Sequence, residues 1–121
     1  MRILDARIHG VLDLVTIVIL LVGPLLFGLG GSPALIAYSL AAVHLLLTLL
    51  TRFPMGLWKV IPFLYHGLVE LLVGICLILL PTVAGYGPGS PARRFYTIVG
   101  AIILVVWALT AYRDSRNERM A

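Results

Sequence analysis

The sequence predicts an all-α membrane protein: a bundle of four transmembrane helices built from two tandem, parallel helical hairpins. Three observations carry that expectation. The first is composition. Of the 121 residues, 61% are hydrophobic and only 12% charged, with a mean hydropathy of +1.09; average soluble chains carry about twice that charge. A chain this small cannot hide so much apolar surface in its own core, so lipid must cover part of it. The second is the spacing of charge. No Asp, Glu, Lys or Arg occurs from Leu14 to Thr51, from Leu71 to Ala92, or from Phe95 to Tyr112. The third is an internal repeat, which divides the chain into two like halves.

A spanning helix needs about 20 mostly apolar residues. The first uncharged run accommodates two crossings, and "GLGGSP" at 28–33 splits it where a hairpin turn belongs. The spans fall near 5–27, 33–51, 62–82 and 91–112. At an offset of 57, Arg2 aligns with Lys59, His9-Gly10 with His66-Gly67, and Asp13 with Glu70. Leu14, Leu20, Pro24 and Gly28 align in turn with Leu71, Leu77, Pro81 and Gly85. One extra residue in the second loop then brings "GSPA" at 31–34 onto "GSPA" at 89–92, and Tyr38 onto Tyr96. Each copy crosses twice and returns to its starting side, so the copies share one orientation, related by a pseudo-two-fold axis along the membrane normal.

The chain reads as one membrane domain, with repeat 1 at about 2–51, an interfacial linker at 52–60, repeat 2 at about 61–112 and a tail at 113–121. Ser32 and Ser90 are placed to cap the second helix of each copy, with Pro33 and Pro91 at the first helical position. Pro24 and Pro81 bend or end the first helices, and Gly28 and Gly85 permit the turns. Gly10 and Gly67 are small residues that would let a neighbouring helix approach closely. In the linker "RFPMGLWKV", Phe53 and Trp58 beside Arg52 and Lys59 suit anchoring at the headgroup level. Cys76 is the sole cysteine, which excludes an intrachain disulfide, and it reads as a small buried apolar side chain.

Arg2, Arg7, Arg52, Lys59, Arg113, Arg116 and Arg119 fall on one side of this topology, against Arg93 and Arg94 on the other. By the positive-inside rule both termini are cytoplasmic. The net charge of +4 thus reflects topology and does not point to nucleic acid. Asp13 interrupts the apolar segment and no A-x-A site follows, so helix 1 reads as a retained span and not as a signal peptide.

The stretch "RIHGVLDLVTIVILLVGPLLFG" resembles the opening of the small bacterial membrane proteins known as SPW-repeat proteins, which carry an H-G-x-x-D start and a repeated apolar–Ser–Pro–Trp–x–x–Gly turn. The Pro-x-x-x-Gly spacing survives here as Pro24/Gly28 and Pro81/Gly85, while Gly23-Pro24-Leu25 and Leu80-Pro81-Thr82 replace the Ser-Pro-Trp core. "TRFPMGLWKVIPFLYHG" is similar to the family's inter-repeat segment. The resemblance implies a duplicated four-helix protein of the bacterial cytoplasmic membrane, and it brings no established activity.

Ionisable groups inside a membrane are costly and raise a functional question by default. His9 and Asp13, like His66 and Glu70, are i,i+4 neighbours sharing a helix face. At 1.5 Å per residue, Asp13, Glu70 and His44 all lie roughly 10 Å in from the cytoplasmic face. Thr48 and Thr51 continue the His44 face. His9, Asp13, His44, Thr48, His66 and Glu70 are therefore expected to form one polar cluster, with His9 and His66 above the other layer, provided they face inward. Three uses compete. The favoured one is structural: hydrogen bonds knit short helices together in a non-enzymatic subunit of a homo-oligomer or larger membrane complex. The second is a carrier or channel for a proton or small solute. The third is a haem or metal site, for which the residue types fit but no HExxH or CxxCH signature exists, so no cofactor is expected. No phosphate loop or nucleophile motif supports an enzyme.

Overall fold

A computed structural model describes residues 3–112 and contains α1 (Ala6–Leu26), α2 (Gly31–Leu50), α3 (Phe63–Val83) and α4 (Pro91–Leu109). Each helix, of 19 to 21 residues, is long and apolar enough to cross a bilayer. The chain is a multi-pass membrane protein. α1 packs closely on α2 and α3 on α4, giving two hairpins that meet each other through α1 and α4. The expected tail at 113–121, with Arg113, Arg116 and Arg119, and Arg2 at the other terminus lie outside the described residues.

Helix ends follow local chemistry, with two departures from expectation. Asp5 caps α1 by accepting a hydrogen bond from Ile8 N at 2.9 Å, and Ser90 caps α4 by accepting from Arg93 N at 3.2 Å. Ser32 does not cap α2. Gly31, at φ +55°, starts the helix two residues early, so Gly30 takes the cap position without a side-chain bond and Ser32 and Pro33 lie within the first turn. The second departure is at the far end of α4, which stops at Leu109 and not at 112. There the backbone leaves the helix to pair with the N-terminal segment: Leu4 N donates to Leu109 O at 2.8 Å and Ala111 N to Leu4 O at 3.0 Å. The same crossing recurs after α2, where Ile61 N donates to Leu50 O and Arg52 N to Ile61 O, both at 2.7 Å. These two short parallel bridges, Leu4 to Thr110 and Thr51 to Ile61, restate the repeat in three dimensions.

Pro24 and Pro81 do not end their helices; α1 and α3 run two residues beyond them, and the turns follow at Gly28 (φ +65°) and Gly85 (φ +77°). Gly10 and Gly67 make room for side chains and not for a neighbouring helix. A Cβ on Gly10 would strike Met55 and Phe53, and one on Gly67 would strike the Tyr112 ring. Close helix approach belongs instead to Gly74 and Gly100, where α3 and α4 meet through Leu104, Ile78 and the Gly74 carbonyl. The apolar core comprises Ile17, Leu20, Ala37, Ala41, Leu77, Phe95, Tyr96, Val99 and Ile103. Cys76 is exposed, contrary to expectation, on the α3 surface that also presents Leu72, Ile75 and Leu79. Residues 3, 4 and 7 apart share a helix face, and this one is turned toward lipid.

Candidate functional site

At the end of the bundle where α1 and α3 begin, their matched sequences bring two corresponding acid–imidazole pairs face to face. His9 and Asp13 lie one turn apart on α1, and His66 and Glu70 one turn apart on α3. His9 Nε2 is 3.1 Å from Asp13 Oδ1 and 3.0 Å from Glu70 Oε2. His66 Nε2 is 3.0 Å from Asp13 Oδ2 and 3.1 Å from Glu70 Oε1. Each carboxylate thus gives one oxygen to each imidazole, and the four groups close a ring in which acid and base alternate. Their side chains are at most 4% exposed. His9 and His66 do not sit in a layer above the acids: both imidazoles reach down to the carboxylate oxygens.

The other ring nitrogens identify the tautomer. The Thr51 hydroxyl donates to Leu47 O, leaving its oxygen to accept from His66 Nδ1 at 2.7 Å. The Thr110 hydroxyl donates to Val106 O and accepts from His9 Nδ1 at 2.8 Å. Both histidines therefore carry a proton on Nδ1, because each hydroxyl has only one hydrogen to give. Both Nε2 atoms then face carboxylate oxygens. A bare lone pair there would repel them, so the centre requires positive charge between its members.

His44 approaches from α2, its Nε2 3.4 Å from Asp13 Oδ1 and 3.5 Å from Glu70 Oε1. It has no counterpart in the second copy, where Ile102 and Ile103 occupy the matching stretch. Thr48, one turn beyond, is buried but makes no hydrogen bond to the ring. A narrow groove between α2 and α3, lined by Leu40, Val43, Leu47, Val69 and Val73, reaches His44 and Glu70. Over the histidines lies an aromatic cover. Phe53 and Phe63 stack with centroids 5.3 Å apart, and both lie against His9 and His66. Phe53 is 5% exposed, so it lids the centre and does not anchor a headgroup; Trp58 is exposed at 62%. Tyr112 packs on Phe63 and donates its hydroxyl to Glu70 Oε2 at 3.1 Å. Burial, and then the Glu70 charge, hold the Tyr112 phenol above its usual range, so it remains a donor.

Among the expected cluster, His9, Asp13, His44, His66 and Glu70 come together and Thr48 stands aside. Sequence reasoning missed Thr110, Tyr112 and Phe63, and it gave Thr51 only a place on the His44 face. Thr51 and Thr110 are separated by 59 residues, against 58 at the start of the same helices and 57 in the preceding ones. That drift hid their equivalence.

Compared with known proteins, the chain matches no protein-family model, no curated protein and no solved structure.

Proposed function

We propose that this is a non-enzymatic integral membrane protein, a structural or accessory subunit whose two hairpins are clasped by the buried histidine–carboxylate ring. One observation carries the reading: the ring is closed by contacts that cross between the repeats. His9 meets Glu70 and Thr110, while His66 meets Asp13 and Thr51. Elsewhere the hairpins meet through α1 and α4 alone among the closely packed pairs. Charged partners in a dry interior hold a fixed geometry because separating them leaves an unpaired buried charge, at about 3–5 kcal/mol.

The outer surface supports a subunit role. Val11, Val15, Val18 and Leu25 on α1, and Leu64, Leu68, Leu72 and Leu79 on α3, are exposed and apolar, available to lipid or to a membrane-protein neighbour, a second copy included. Arg7, Arg52 and Lys59 share the end bearing the ring, and Arg93 and Arg94 the other, which favours a cytoplasmic location for the ring end in a bacterial inner membrane. The resemblance to SPW-repeat proteins agrees with that setting.

A carrier is the second reading, favoured by His44: it breaks the two-fold pattern and joins the ring to the groove. Replacing Asp13 by Asn and Glu70 by Gln together separates the two. Loss of hairpin association and of detergent stability supports the clasp. Intact assembly with proton or solute flux abolished in vesicles supports the carrier and overturns the clasp.

A further inference from the structure

We infer that His9, Asp13, His66 and Glu70 form a binding site for one divalent first-row transition ion, taken through the two Nε2 atoms and one oxygen of each carboxylate. This goes beyond the clasp, because a ring balanced by imidazolium protons would join the hairpins equally well.

Four observations lead there. The four ligand atoms lie within 4.8 Å of one another. Donors sharing one tetrahedral ion at about 2.0–2.2 Å stand about 3.3–3.6 Å apart, so closure asks the widest pair to draw together by about 1 Å, within reach of side-chain rotation. Secondly, the orientation is that of ligands. His9 Nε2 makes no hydrogen bond to either carboxylate oxygen although both lie within 3.1 Å, and Asp13 Oδ2 is likewise unpartnered. These atoms are drawn close together without being aimed at each other. Only His66 Nε2 and Glu70 Oε1 meet in hydrogen-bond geometry.

Thirdly, each Nδ1 proton is held by a threonine that is itself held by a helix carbonyl. Metal-bound histidines characteristically donate their second N–H in this way, which leaves Nε2 free to ligate. Fourthly, charge closes: two neutral imidazoles, two carboxylates and one divalent cation sum to zero, the condition a low-dielectric interior favours. Two imidazoles and two carboxylates suit zinc, manganese or ferrous iron better than calcium or magnesium, whose ligands are all oxygen, or copper(I), which takes sulfur. A haem is disfavoured by the same geometry, since Asp13 and Glu70 fill the gap between the imidazoles that a porphyrin would need.

The test uses the full chain purified in mild detergent, stripped with chelator, and titrated separately with Zn2+, Mn2+, Fe2+ and Co2+. The expected result is one ion per chain, with ligand-field absorption for Co2+ that zinc displaces. Thr51→Val and Thr110→Val, which leave all four ligands in place, are each expected to weaken binding about 10–100-fold. His66→Gln should abolish it. Folded, helical wild-type protein that takes up none of the four ions overturns the proposal, and so does uptake that survives in a folded His66→Gln variant. Either failure leaves the clasp standing, since that reading depends on hairpin association and not on metal content.

Discussion

At the scale of single residues, the centre is governed by hydroxyls as much as by charges. Thr51 and Thr110 are fully buried, and each accepts from a histidine while donating to a carbonyl one turn back. Replacing either by valine leaves a buried N–H without a partner, a loss of about 1–3 kcal/mol. Chemical unfolding in detergent should give that loss for both variants, and of similar size, since the two sites are copies. Asp13 and His66 belong to different repeats and approach to 3.0 Å. A double-mutant cycle with Asp13→Asn and His66→Gln is expected to return a coupling of about 0.5–3 kcal/mol; simple additivity would show that the ring is not an energetic unit. The two i,i+4 pairs were legible from spacing alone, because residues four apart share a helix face whatever surrounds them. Phe53 was misread for the converse reason. An aromatic beside Arg52 suits a headgroup region equally well, and only the path of the linker folds it back over His9 and His66.

At the scale of elements, the two copies are less alike than their sequences suggest. Both contain Gly-Ser-Pro-Ala, yet Ser90 caps α4 and Ser32 caps nothing. Ser90→Ala should therefore cost about 1 kcal/mol, the usual worth of such a cap. Ser32→Ala should fall within about 0.5 kcal/mol of wild type, as expected of a site with no such feature. A comparable loss in both would contradict the early turn at Gly31. Between helices, Gly100 lies against Ile78 and the Gly74 carbonyl. Gly100→Val is expected to force α3 and α4 apart at about 1–3 kcal/mol, readable as a lowered midpoint of thermal unfolding. Capping residues and proline positions set where a helix is able to begin or bend, and that much was local. Whether a serine reaches the open N–H depends on one glycine dihedral before it.

At the scale of the whole molecule, the fold unites an apolar exterior suited to lipid with a polar cluster buried near one end. Single cysteines in a Cys76→Ala background should be labelled from opposite sides of the membrane when placed at Lys59 and at Gly87, which lie at opposite ends of the bundle. Labelling of both from one side would refute the four-span topology. The sequence by itself determined the number of spans, their parallel duplication and the two acid–imidazole pairs. Each of these follows from apolar run length, from repetition, or from the 3.6-residue turn, and none needs knowledge of a neighbour. Only the tertiary structure decided that the pairs exchange partners across the repeats, that threonines at both helix exits fix the imidazole protons, and that Cys76 looks outward. Those features depend on how helices are rotated against one another. In a chain apolar all round, no amphipathic stripe records that rotation, and packing alone settles it.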